Sequence, residues 1–393
     1  MNERDRLEEL LRFRSIELSR RRVLTSSALG LAGVGAGLLV GCGDDDDAAI
    51  DFDGELEVTS LRISKPPPVC VAAQYIAEEF LYEEGFEKVE YIRQDTVGEI
   101  GPQTAAGDVD FAMNFAAPIA VGIDQGHDLS VLAGMHVGCF DLFVREGIAT
   151  TSDLVGKKLA VSAVGPNSGD YVFVAGILQY LNIDTNTEVE FVPGTQAESK
   201  QRLESGEVDA FLAFPPWAQE LRADGVGNVL FSSAQDPPWN QFYCCLVTGN
   251  KDFIRRYPAA TKRVVRSYIK AAEHCAEEPE AVADFMVSEG HMPNREYAGE
   301  MMRTLPYDVW RRFDANDTLL FYGLQLHEAG VISSTPEEII ERGTDWRFLD
   351  ELKGEFARSR GPADQQFSFY CDPETGLPRR TAFKTRERAR RTT

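Results

Sequence analysis

From Leu56 onward the hydrophobic positions switch repeatedly between a period of two and a period near that of a helix. Leu56 to Ile63 alternates as a strand, Ala72 to Glu84 has helical spacing, and Val89 to Arg93 alternates again. The succession returns with Lys158 to Ser162 as strand, Ser168 to Leu181 as helix and Glu188 to Val192 as strand. Strands alternating with helices of this length predict α/β layers, with parallel sheets covered by helices on both faces. After Gly249 the pattern turns helical. Lys251 to Tyr257, Ala259 to Cys275 and Glu280 to Ser288 are amphipathic, with Pro258 and Pro279 at helix starts. Further helical stretches follow at Pro306 to Ala329 and Pro336 to Lys353.

The α/β part is doubled. Gly107-Asp108-Val109-Asp110-Phe111-Ala112-Met113-Asn114-Phe115-Ala116-Ala117-Pro118 is echoed 99 residues later by Gly206-Glu207-Val208-Asp209-Ala210-Phe211-Leu212-Ala213-Phe214-Pro215-Pro216-Trp217. At the same offset Gly126 answers Gly225. Each block predicts a helix end, a Gly turn, a short buried strand and a loop that opens a new helix. Two similar lobes follow, with a hinge and a groove between them. Open α/β sheets bind ligands beyond the carboxyl ends of their strands, so the loops 114–118 and 213–217 are expected to face one cleft. The expected boundaries are 55–141 plus 247–357 for lobe 1 and 142–246 for lobe 2. The C-terminal helical segment is expected to wrap lobe 1. Residues 358–393 form an expected disordered tail, basic at its end.

The N-terminus carries a different signal. Ser19-Arg20-Arg21-Arg22-Val23-Leu24 is a twin-arginine string, and Val23 to Val40 holds no charge. The span is long enough to be weighed as a transmembrane helix, but it is rich in Gly and Ala and contains Thr25-Ser26-Ser27. Leu39-Val40-Gly41-Cys42 matches a lipobox, in which the cysteine is lipidated and becomes the first mature residue. Residues 1–41 are therefore expected to be a twin-arginine lipoprotein signal, and 42–54, with the run Asp44 to Asp47, an acidic tether. The expected location is the periplasm or cell surface, anchored to the membrane by lipid on Cys42.

Charge narrows the partners. The leader holds seven Arg against five acids, +2, so of the whole chain's −23 the mature part carries about −25. Such a balance argues against nucleic acid, which rewards clustered Lys and Arg. Six further cysteines stand at 70, 139, 244, 245, 275 and 371, without CxxC or zinc-type spacing. Export permits disulfides, but the pairing stays open. Cys244 and Cys245, if in a strand, point to opposite faces. The five histidines form no ligand motif, and there is no GxSxG elbow, phosphate loop or dinucleotide fingerprint in the mature chain. No catalytic residue, metal or cofactor is expected.

Ligand-binding candidates are better placed. Ser168 enters a helix from Gly165-Pro166-Asn167, where amides favour a polar or anionic group, although an ordinary N-cap explains it equally. Asn114 is a polar residue just past a buried strand. Phe115, Phe214 and Trp217 follow the paired strands, where they line a cleft or pack a core. His136 ends the strand Leu129 to Met135 at the crossover, Tyr243 opens the returning strand, and Lys65 is the cation nearest the first strand's end.

These residues carry a resemblance. From about 56 to 290 the chain resembles the periplasmic solute-binding proteins of nitrate, sulfonate, taurine and bicarbonate ABC importers, which share their fold with thiamine-pyrimidine synthases. The resemblance rests on the doubled block, on Asp153-Leu154-Val155-Gly156-Lys157-Lys158-Leu159-Ala160-Val161, on Asn250-Lys251-Asp252-Phe253 and on Tyr257-Pro258-Ala259-Ala260. It implies a periplasmic-binding-protein fold of type II and a monomer that closes on a small organic or oxyanion solute. It also implies delivery to an ABC permease and ATPase. An extracytoplasmic sensor or docking protein of the same fold is the alternative. The synthases place a cofactor-holding lysine and a histidine where this chain has Asn114 and Pro118, so the resemblance does not extend to their chemistry. Cys42→Ser is expected to leave ligand binding intact and abolish membrane association. Retention in the membrane fraction would mean that the leader is a spanning helix.

Overall fold

Each copy of the repeated block closes on the same clamp. Asp110 Oδ2 accepts the backbone N–H of Arg62 at 2.7 Å, and Asp209 Oδ2 accepts that of Lys158 at 2.8 Å. Each aspartate is also paired with a guanidinium, Arg62 in the first copy and Arg145 in the second. The glycine three residues earlier, Gly107 or Gly206, ends a helix with φ of 76° in both copies, a left-handed cap that a side chain would strain. Val109 and Val208 are fully buried. The Gly-acid-Val-Asp pattern is thus a device that turns a helix into a strand and fastens that strand to its neighbour.

The computed structural model describes residues 52–67 and 70–359. The leader, Cys42, the tether up to residue 51 and the tail from residue 360 lie outside them. The first half comprises β1 (Ser60–Lys65), α1 (Ala72–Glu83), β2 (Lys88–Arg93), α2 (Ile100–Ala106), β3 (Phe111–Phe115), α3 (Ala116–Asp124) and β4 (Leu129–Val137). The second comprises β5 (Asp141–Val144), β6 (Lys157–Val161), α4 (Gly169–Tyr180), β7 (Val189–Pro193), α5 (Gln196–Ser205), β8 (Ala210–Ala213), α6 (Trp217–Asp224) and β9 (Asn228–Ser232). β10 (Tyr243–Asn250) follows, and then helices α7 (Lys251–Arg256), α8 (Pro258–Glu277), α9 (Pro279–Ser288), α10 (Arg295–Thr304), α11 (Ala315–Glu328), α12 (Pro336–Gly343) and α13 (Arg347–Ser359).

Two five-stranded sheets run β2-β1-β3-β10-β4 and β7-β6-β8-β5-β9. β1 pairs in parallel with β2 and β3, as β6 does with β7 and β8. β10 lies antiparallel between β3 and β4, and β5 takes the same place between β8 and β9. The purely parallel sheets expected from the pattern are therefore mixed. The chain crosses between sheets at 138–140 and 233–242. β10 is continuous from Tyr243, so the expected boundary at 246 falls inside a strand.

The crossovers are clipped together. Ser233 Oγ accepts the amides of Cys139 and Phe140 at 3.0 and 2.9 Å and donates to the Phe140 carbonyl at 2.7 Å. Gly138, with φ of 70°, lies so close to the backbone of Ala234 that a Cβ would sit 2.5 Å from its Cα.

The C-terminal helices wrap both lobes, not lobe 1 alone. α8 packs on α1, and its buried Lys262 ammonium meets Asp53, Glu351 and Glu355 at 2.6–2.8 Å. α11 packs on α4 of lobe 2 as well as on α3 of lobe 1. Among the described residues no helix is long and apolar enough to cross a membrane. Asp110→Ala and Asp209→Ala each strip the acceptor from a strand N–H and are expected to cost about 1–3 kcal/mol in urea denaturation. Unchanged midpoints would rule the clamps out as structural.

Candidate functional site

The repeat brings its two equivalent phenylalanines together. Phe115 at the end of β3 and Phe214 just past β8 are 99 positions apart, and their rings meet across the lobes with centroids 5.0 Å apart. Phe173 of α4 joins them, 5.7 Å from Phe115, and Phe140 of the first crossover lies 4.9 Å from Phe173. Tyr322 of α11 closes the group with an edge contact to Phe173 at 5.4 Å. All five side chains are buried. Rings from both lobes, the first crossover and the C-terminal segment thus pack into one buried cluster. Sequence reasoning had selected Phe115 and Phe214 for their places in the repeat. It missed Phe140, Phe173 and Tyr322, because a single aromatic in an apolar helix or crossover carries no pattern of its own.

The polar candidates divide. Asn114 is buried; its Oδ1 accepts the Phe115 amide at 2.7 Å and its amide nitrogen lies toward Gly101 of α2. Lys65 is exposed at the carboxyl end of β1. His136 is fully buried; its Nδ1 lies 3.0 Å from the Gly138 carbonyl, and its Nε2 has no hydrogen-bond partner. Ser168 is buried, and its hydroxyl is already used, donating to Asp170 Oδ1 at 2.6 Å and accepting from the Ala163 amide at 3.2 Å. Asp170 also accepts from Ser162 N and Oγ at 2.7 Å. The helix N-terminus offered to an anionic ligand is therefore occupied by the protein's own carboxylate.

Two assignments are corrected. Trp217, expected in the cleft, packs against lobe 2's own core of Phe143, Leu203, Val208 and Phe211, because the first turn of α6 lies over that sheet. Tyr243, expected to offer its hydroxyl to a ligand, directs it to the carbonyls of Val309 and Phe313 at 3.3 and 3.2 Å. Its ring occupies the space that Gly134 leaves on β4.

Two cavities flank the hinge and the mouth. One of about 300 Å³ is lined by Cys139 and Phe140 of the first crossover, by Gln219 and Arg222 of α6, and by Glu300 and Met301 of α10. Arg222 is held there by Asp141 and Glu300, and Gln219 Oε1 is buried without a partner. The other, of about 450 Å³, lies between Gly98 to Gln103, His127 and Asn167. Gln125 reaches Asn167 across the lobes at 3.3 Å. None of the eight residues selected from sequence lines either cavity.

Cysteines gather beside the hinge. Cys139 and Cys244 are joined as a disulfide, and the Cys70 and Cys245 sulfurs lie 3.7 Å apart next to it. A bulge in the pairing of β10 with β4 at 243–246 breaks the alternation, so Cys244 and Cys245 share one cluster rather than facing apart. Burial pushes the Cys245 thiol well up.

A family model of the NMT1-like family matches residues 54–287. The chain belongs to the NMT1-like family. As an NMT1-like protein it is 24% identical over 136 residues to the bicarbonate-binding protein CmpA of Synechococcus elongatus, a match covering 33% of this chain and 29% of CmpA. The match thus spans less than two thirds of that relative. Among solved structures, the periplasmic nitrate-binding protein NrtA of Synechocystis PCC 6803 superposes with a TM-score of 0.63 at 15% identity, over 79% of this chain and 91% of NrtA. The periplasmic sulfonate-binding protein SsuA of Methylobacillus flagellatus gives 0.58 at 19% identity, over 77% and 96%. The NMT1-like chain therefore has the periplasmic-binding-protein fold that its sequence resembles, with two α/β lobes and a helical C-terminal segment.

On the rim near Lys65, His291 stacks on Tyr75 with ring centroids 3.6 Å apart. Burial, and then the Lys65 charge, hold its imidazole down from 6.5 to about 4. A depressed folded-state value means stability that is full above pH 6.5 and is lost as pH falls through 4. His291→Phe keeps the stacking and is expected to flatten the wild-type loss of stability between pH 6.5 and 4. Parallel stability curves for the two proteins across that window would refute the assignment.

Proposed function

We propose that this NMT1-like protein is the substrate-binding lipoprotein of an ABC importer, tethered through Cys42 beside its permease. The observation that carries the reading is the meeting of Phe115 and Phe214 across the lobes, joined by Phe140, Phe173 and Tyr322. A ligand that slides between rings from both lobes gains contacts in the closed form that it lacks in the open one. That difference is what shifts the population toward closure. Lys65, exposed at the carboxyl end of β1, is the positive charge offered to an acidic solute.

A seat opened between these rings would favour a small organic solute with a flat or apolar body, such as a sulfonate, an aromatic acid or a pyrimidine, over bare nitrate or bicarbonate. No nucleophile, base and oxyanion donor converge among these residues, so binding rather than turnover is the reading they support.

The test is a thermal-shift panel of sulfonates, aromatic acids, pyrimidines, nitrate and bicarbonate. A cognate ligand at 100 times its Kd stabilises the fold by about 2.7 kcal/mol. Phe214→Ala and Phe115→Ala are each expected to weaken the winning ligand about tenfold, the worth of one lost ring contact. A panel without any shift, or alanine variants that bind like the wild type, would overturn the seat. A preference for nitrate or bicarbonate would overturn the solute class.

A further inference from the structure

Three separated segments deliver four buried sulfurs to one point. Cys70 precedes the first turn of α1, Cys139 sits in the first crossover, and Cys244 and Cys245 open β10. All four sulfurs lie within 4.8 Å of one another, and each side chain is at most 5% exposed. Nothing in the linear spacing announces the cluster, because the bulge in β10 is what lets adjacent cysteines serve the same point. Four thiolates around one ion of zinc size, with metal–sulfur bonds near 2.3 Å, stand about 3.8 Å apart at the edges of a tetrahedron. The Cys70–Cys245 separation is 3.7 Å.

A second observation points to a cation. The His136 Nδ1 faces the Gly138 carbonyl at 3.0 Å and so carries the proton, which leaves Nε2 as a bare lone pair. That lone pair is buried without a partner, and the ring packs on Tyr307, whose hydroxyl donates to the Cys70 carbonyl at 3.3 Å. The Cys70 side chain interacts with the His136 ring, so Nε2 stands among sulfur ligands with a lone pair that suits a thiophilic cation.

We propose that Cys70, Cys139, Cys244 and Cys245 form a tetrahedral thiolate site for one thiophilic divalent cation of the zinc type, with His136 Nε2 as a reserve donor. A closed four-sulfur set has no open position, so the ion is structural and ties the β1–α1 segment to the first crossover and the start of β10. Cys139 and Cys244 are a disulfide in this structure, so the site forms on reduction. A phosphine and one water convert the bond to two thiols and a phosphine oxide. The ion then displaces the four thiol protons as it binds.

The test uses the purified full chain, reduced with a phosphine under nitrogen, desalted and titrated with Co²⁺ as the probe. The expected result is one Co²⁺ per chain, with strong visible bands of tetrahedral thiolate ligation and sulfur-to-cobalt charge transfer in the near ultraviolet. Zn²⁺ should bleach both. Cys70→Ser and Cys245→Ser should each weaken binding by roughly 100-fold or more. Cys275→Ser, which removes a buried thiol outside the cluster, should bind like the wild type. Protein left oxidised should give no bands. Circular dichroism checks that each variant is folded. Should the serine variants not fold, the native mass of the reduced wild type with Zn²⁺ decides instead, through one metal gained with four protons lost. Reduced, folded protein without bands, weak octahedral bands, bands that survive both serine variants, or equal binding by oxidised protein would each overturn the site.

Discussion

The lobes depend on how two backbone segments lie against each other at Ser233. Its hydroxyl takes two amides from the opposite crossover and returns a hydrogen to one of their carbonyls. Gly138 lets the segments approach to a distance no side chain would allow. Crossovers clipped this way form one joint between the two sheets. The ring cluster lies just beyond it, with Phe140 in the crossover itself. Phe140 thus links the Ser233 clip to the rings of Phe173 and Phe214.

Much of this was legible in the sequence. The alternating periods placed most strands and helices of the α/β part within a few residues. The stretch expected to be helical from Pro306 becomes helix only at Ala315, and helix Arg295–Thr304 went unread. The 99-residue echo foretold the equivalence of β3 and β8. The same echo singled out Phe115 and Phe214, whose rings meet because equivalent positions in two facing lobes are brought together. What the repeat could not show was the purpose of its most regular residues. Asp110 and Asp209 are fastened to strand amides, and their repetition reflects packing, not ligand chemistry. Trp217 and Tyr243 were misplaced for a related reason. A large aromatic near a cleft loop is as easily consumed by its own lobe, and only the direction of one helix turn or a glycine opposite decides which.

The cysteines mark the other limit. Their positions, 70, 139, 244 and 245, look unrelated along the chain. They meet because the hinge gathers the ends of β4 and β10 against the segment after β1. The alternation rule separated Cys244 from Cys245 and failed at a bulge, the kind of irregularity that hydrophobic patterning does not register. The reach of the C-terminal helices was similarly hidden. The amphipathic face of α11 showed that it packs, but not that it packs on α3 and α4 together and so touches both lobes.

The placement of β10 has a consequence for the order in which the chain is made. The sheet of lobe 2 is built from strands contiguous between Asp141 and Ser232, so all its members emerge from the ribosome together. The sheet of lobe 1 stays split, with β3 and β4 lacking the strand between them, until Asn250 has been synthesised. Lobe 2 can therefore finish while lobe 1 still shows two open edges. The longest wait, and the greatest exposure to mispairing, belongs to the lobe that begins first.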